Sequence, residues 1–202
     1  ITPSHTYVAS VSAIDHVGAV PIFVDIADDF NIDPNLIEKK ITNKTKAIMV
    51  VHLNGRCCDM NPIIKIAKKY KLKIIEDAAQ GFGSKYNGKY VGNFGYAAAF
   101  SLHPMKNLSV PGDGGFLTTN NKRVFEKVLL LRDHGRIKVG NKEVRKCYGF
   151  NSRLDNLHAS IALVKLKYFF GWMSKRREIA RFYNKELEVI SDYIVTPKLD
   201  KK

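Results

Sequence analysis

Apolar positions along the chain fall into short runs separated by amphipathic stretches. Over residues 7–17 the apolar residues Val8, Val11, Ile14 and Val17 recur at helical spacing, behind two candidate caps, Ser4 and Thr6. Gly18 ends that helix, and residues 20–26 read as a strand. Asp33-Pro34 starts a helix to Lys40, with proline at its first position. Residues 46–53 are almost continuously apolar, as expected of a parallel strand covered on both faces. Asn61-Pro62 opens a helix over 63–71 whose apolar face is Ile63, Ile66, Ala67 and Tyr70. Two further buried strands follow: Lys73-Ile74-Ile75, which ends in Glu76-Asp77, and residues 97–102. Between them Asn87-Gly88 signals a hairpin. Residues 114–119 read as a strand and 122–132 as a helix with Val124, Val128 and Leu131 inward. A polar, basic, mobile loop is expected over 137–148. A long helix begins near Asn156 and weakens at Gly171. This alternation predicts an α/β fold with a mostly parallel sheet flanked by helices.

Composition narrows the class. With 45% hydrophobic and 26% charged residues in 202, the chain has the means to bury a core. No apolar run is long enough to span a bilayer, and no leader pattern opens the chain. Three cysteines, two of them adjacent (Cys57, Cys58), fit a reducing compartment, so a cytoplasmic protein is expected. Ile1-Thr2-Pro3-Ser4 reads as the interior of a domain, which predicts a fragment or a processed chain. A net charge of +14 raises nucleic acid as a partner. The basic residues are spread along the chain, however, without an aromatic-interleaved RNA motif or zinc-finger spacing, so that partner is disfavoured. No His/Cys/Asp cluster has metal-ligand spacing, so no metal is assigned. His52, at a strand end, reads as a structural histidine rather than a ligand-facing one.

Candidate chemistry lies at the ends of two strands. Ligands of open α/β sheets sit outside the carboxyl ends of the strands. Asp77 and Lys106 each fall just past such an end, on one edge. A lysine and a carboxylate brought together there suit pyridoxal phosphate, the lysine as its Schiff-base partner and the aspartate on the pyridine nitrogen. The wording around them is more specific. Glu76-Asp77-Ala78-Ala79-Gln80, Gly83, Val91-Gly92, Phe100-Ser101, Lys106-Asn107 and Gly112-Asp113-Gly114-Gly115 stand in that order. Outside the core stand Pro3-Ser4-His5-Thr6-Tyr7, Val50 to Leu53, Asp133-His134-Gly135 and Asn151-Ser152-Arg153-Leu154. Together they resemble the DegT/DnrJ/EryC1/StrS family, fold-type I aminotransferases that use pyridoxal phosphate and act on nucleotide-linked keto sugars.

The resemblance implies a role for each matched position. Lys106 would hold the cofactor and move the proton, and Asp77 would pair with the ring nitrogen. Gln80 would lie near the ring hydroxyl, Ser101 would bond the phosphate, and Tyr7 would stack on the ring. Asn151 would reach the phosphate of a partner subunit, giving a homodimer with shared active sites. Arg153 reads as an interface ion-pair residue in preference to a substrate contact. Residues 1–150 would form the cofactor-binding large domain, short of its N-terminal part. Residues 151–202 would supply a dimer contact and a long helix leading into a truncated small domain. The activity implied is amino transfer from an amino acid, glutamate by resemblance, to a keto group of a nucleotide-linked sugar. Two alternatives stay open: a truncated non-catalytic remnant or regulatory, nucleic-acid-binding protein, and a pyridoxal-phosphate-dependent sugar dehydratase. Relatives of the dehydratase kind carry histidine where this chain has Lys106.

Overall fold

The computed structural model describes residues 1–197. In chain order the elements begin with β1 (Thr2–Pro3), α1 (Val8–His16), β2 (Phe23–Val24) and α2 (Pro34–Ile37), which runs on as one 3-10 turn, Glu38–Lys40. Next come β3 (Ala47–Val51), α3 (Met60–Lys69), β4 (Lys73–Asp77), β5 (Lys85–Tyr86), β6 (Lys89–Tyr90) and β7 (Ala97–Ser101). The last are β8 (Gly115–Thr118), α4 (Lys122–Leu131), β9 (Arg136–Val139), β10 (Lys142–Arg145) and α5 (Asn156–Leu187).

The central sheet has the order β3-β4-β7-β8. β3, β4 and β7 are parallel, and β8 closes one side as an antiparallel strand. Asp77 is in register with Val51 of β3 and Ala99 of β7, so its carboxyl-end position is fixed from both sides. On the far side of β3 the chain start is tied in: the Ile1 ammonium donates to the Ala47 carbonyl and its own carbonyl accepts from Met49 N–H.

Apolar burial explains the layering. Ile48, Val50 and Ile74 of the sheet pack with Met60, Ile63 and Ala67 of α3 and Ile37 of α2. α3 is the most clearly amphipathic helix, its lysines turned to solvent. A separate cluster lies under the Lys106 loop, where Phe169 of α5 is fully buried against Leu102, Leu108 and Val110. Gly83 is required there, because a β-carbon on it would stand 2.5 Å from Phe169 Cε1. The β5–β6 hairpin turns at Asn87 and Gly88, both at positive φ, as a two-residue turn matched to strand twist demands.

Four expectations need correction. The loop expected over 137–148 holds an antiparallel hairpin, with Ile137 opposite Val144 and Gly140 at positive φ in the turn. α5 runs unbroken through Gly171, because flanking packing outweighs one poor helix former. The strand expected over 20–26 is hydrogen-bonded as a strand only at Phe23–Val24. No side chain caps α1: Tyr7 is its N-cap residue, and Thr6 bonds Ser10 instead.

Candidate active site

Asp77 ends β4 with a half-buried carboxylate held at both oxygens. Ser10 Oγ on α1 donates to Oδ2 at 2.6 Å, and Ala79 N–H donates to Oδ1 at 3.1 Å. Its backbone carbonyl accepts from His52 N–H at 3.0 Å. Tyr7 stands one turn before Ser10 on the same helix and is 72% exposed, which leaves its ring free to cover a ligand.

Lys106 follows β7 in a tight turn closed by its own N–H to the His103 carbonyl, 2.8 Å. Its side chain is half-buried and makes no ion pair or hydrogen bond among the described residues. Asp77 and Lys106 therefore share one sheet edge without closing on each other. Ser101 ends β7, and its Oγ accepts from His103 N–H at 3.2 Å, which leaves the hydroxyl proton available.

Gln80 lies in the turn after Asp77, its Oε1 accepting from Asn54 N–H at 2.6 Å. The Gln80 turn and the Lys106-Asn107 turn meet over Gly55. A β-carbon there would stand 3.5 Å from the Gln80 carbonyl and 3.8 Å from Asn107 Nδ2. Asp77, Gln80, Lys106 and Tyr7 are thus drawn to one edge by β4, β7 and α1. Asn151 is not drawn in. It is exposed, bridged to Asp133 and bonded by Arg153 at 3.4 Å. Arg153 pairs within its own chain, 3.4 Å from Asp133. Arg136 shares that aspartate at 2.9 Å, and this bond holds the Asp133 carboxyl below its ordinary value.

Beneath the edge lies a buried polar network that the sequence did not announce. Glu76 is fully buried and accepts four bonds: Phe94 and Gly95 N–H on Oε1, Gly92 N–H and His52 Nε2 on Oε2. Burial pushes its carboxyl upward, but the bonds from His52, Gly92 and Gly95 win and hold it below the ordinary value. Cys58 N–H donates to His52 Nδ1, so the imidazole is neutral with its proton on Nε2, pointing at Glu76. His52 is therefore structural, gripping Glu76 with its ring and Asp77 with its backbone. Burial, with Cys57 and Asp29 nearby, raises the Cys58 thiol well above its usual range, which makes it inert. Ser10 and Glu76 left faint signals: a serine on the inward face of α1, and a second carboxylate inside an apolar run.

α5 braces the lysine turn from outside. Lys165 Nζ donates to the Ser109 carbonyl and hydroxyl, both at 2.8 Å, and Arg176 donates to Asn107 Oδ1 at 3.2 Å. With Phe169 between them, one stripe of the helix fixes the segment that carries Lys106. No group of residues able to hold a metal ion occurs among the described residues.

The profile of the DegT/DnrJ/EryC1/StrS aminotransferase family matches residues 1–202. The chain belongs to this family. It is 50% identical over 185 residues to the dTDP-3-amino-3,6-dideoxy-alpha-D-galactopyranose transaminase of Aneurinibacillus thermoaerophilus, covering 91% of this chain and 50% of that one. It is 46% identical over 200 residues to the Pleiotropic regulatory protein of Geobacillus stearothermophilus, covering 98% of this chain and 53% of that protein. Among solved structures, NtdA of Bacillus subtilis with bound cofactor PMP superposes with a TM-score of 0.84 at 38% identity. That match covers 95% of this chain and 43% of NtdA. The chain spans about half the length of the curated relatives it matches.

Proposed function

We propose that this chain carries the catalytic half of a pyridoxal-phosphate-dependent aminotransferase that moves an amino group from an amino acid, glutamate, to a keto group of a nucleotide-linked sugar. One observation carries the reading: in a chain of this family, a pinned carboxylate and an unpaired lysine occupy adjacent strand ends without pairing. The donor set suits the cofactor. Asp77 has no cation beside it among the described residues, Lys106 has no partner there, and Ser101 keeps a hydroxyl proton to give a phosphate. The PMP bound in NtdA is the amino form of the same cofactor.

Pyridoxal phosphate supplies, when bound, an electron sink for the charge left as a substrate loses its α-proton. Asp77, fixed by Ser10 and Ala79, would pair with the ring nitrogen and keep it protonated. Lys106 would hold the cofactor covalently and, as a free amine, would move the proton. Ser101 would donate to the phosphate without adding charge, Gln80 would lie near the ring hydroxyl, and Tyr7 would cover the ring. Asn151 would reach the phosphate of a second subunit in a homodimer with shared sites. Lysine at position 106 favours amino transfer over dehydration.

The test is product formation. The full-length gene product, loaded with pyridoxal phosphate and given glutamate and a dTDP- or GDP-linked keto sugar, should yield 2-oxoglutarate and an amino sugar lighter than the keto sugar plus glutamate by that 2-oxoglutarate. Conversion of glutamate without sugar amination would leave the acceptor wrong; conversion of neither would sink the activity. A regulatory reading, prompted by the name of the Geobacillus relative and the net charge of +14, requires nucleic-acid binding with a steep inverse salt dependence.

A further inference from the structure

Ser10 is almost completely buried, 4% exposed, on a helix whose other inward residues, Val11 and Ile14, are apolar. Its hydroxyl lies 2.6 Å from Asp77 Oδ2 and 2.8 Å from Thr6 Oγ1. A hydroxyl has one proton to give. An ionised carboxylate only accepts, so Ser10 gives its proton to Asp77 and Thr6 gives its own to Ser10. The direction of the chain is therefore fixed: Thr6 to Ser10 to Asp77. Hydrogen bonds linked in this sense polarise one another, and the last, to a charged acceptor in a half-buried site, is the strongest.

We propose that Ser10 is a positioning residue for the cofactor-facing carboxylate, and that Thr6 and Ser10 form a one-way hydroxyl relay which fixes Asp77 in orientation. The proposal rests on the reading of Asp77 as partner of the pyridine nitrogen. Ser10 Oγ and Ala79 N–H occupy one lone pair on each oxygen, which stops the carboxylate rotating and keeps a lone pair on each oxygen for a ring N–H. Without the relay the carboxylate is free to turn away from the ring nitrogen, and its bond there weakens. The relay also joins two tasks on one helix: α1 delivers the covering ring of Tyr7 and, one turn on, the hydroxyl that steadies the carboxylate below it.

The experiment compares full-length wild-type protein with Ser10→Ala, Ser10→Cys and Thr6→Val. Cofactor affinity is read from the absorbance change on titration with pyridoxal phosphate, and thermal stability is read without cofactor. Ser10→Cys fills the same space with a somewhat larger atom and replaces a strong donor by a weak one. Its dissociation constant for pyridoxal phosphate should rise about tenfold, as in Ser10→Ala, and that of Thr6→Val about threefold. If Ser10 only fills space, Ser10→Cys binds as wild type does and Ser10→Ala loses melting temperature alone, and the relay is overturned. Wild-type protein that takes up no pyridoxal phosphate overturns the cofactor reading itself, and the relay falls with it.

Discussion

Glu76 and Asp77 are adjacent carboxylates on one strand, and the pleat sends them to opposite faces for opposite tasks. Asp77 faces the edge with room for a partner, whereas Glu76 is saturated by three backbone N–H groups and a neutral imidazole. Glu76→Gln offers one acceptor oxygen in place of two and turns an amide N–H toward groups that donate. The substitution should cost about 3 kcal/mol in chemical denaturation. The acid limb of stability gives a second check. The folded Glu76 carboxyl lies below its ordinary 4.5, so its contribution is complete above that pH and is lost as pH falls through the folded-state value. Glu76→Gln should remove that part of the acid slope. At this scale Asp77 and Lys106 were legible because each ends an apolar run and the motif wording around them is specific. Ser10 and Glu76 were not legible in role, since hydrogen-bond partners 67 residues away for Ser10 and 16 to 24 for Glu76 leave no local pattern.

Elements with strong periodicity read correctly from sequence: α3 and α4, the three parallel strands, and the Asn87-Gly88 hairpin. The β9–β10 hairpin was missed for a physical reason. Its strands bury little, and Lys138, Lys142, Arg145 and their neighbours hide the weak alternation of Ile137, Val139 and Val144. α5 shows the opposite imbalance, with Gly171 marking a weak point that packing at Phe169 and Met173 overrides. A β-carbon at Gly171 would meet nothing within 4 Å, and the site is exposed. Gly171→Ala should therefore stabilise the protein by about 0.5–1 kcal/mol, measured as a raised denaturation midpoint with unchanged slope. A destabilising result would mean that α5 bends or packs at this point in the working protein.

Across the whole molecule, the sheet edge collects Asp77, Gln80, Lys106 and Tyr7, while Asn151 stands apart beside Asp133 and Arg153. The role proposed for Asn151, reaching a neighbouring subunit's site, requires that separation. Mixing inactive Lys106→Ala and Asn151→Asp dimers tests the sharing. A mixed dimer contains one site with both residues intact, so random exchange should restore about a quarter of wild-type activity. No recovery, with exchange shown by mass, would contradict shared sites. The central claim is that Lys106 binds pyridoxal phosphate covalently, and its most direct measurement is the visible absorption spectrum of the loaded full-length protein. Wild type should show a band, absent from free cofactor, that glutamate bleaches and that Lys106→Ala lacks. The same band in Lys106→Ala, or a wild-type spectrum identical to free cofactor, would contradict it.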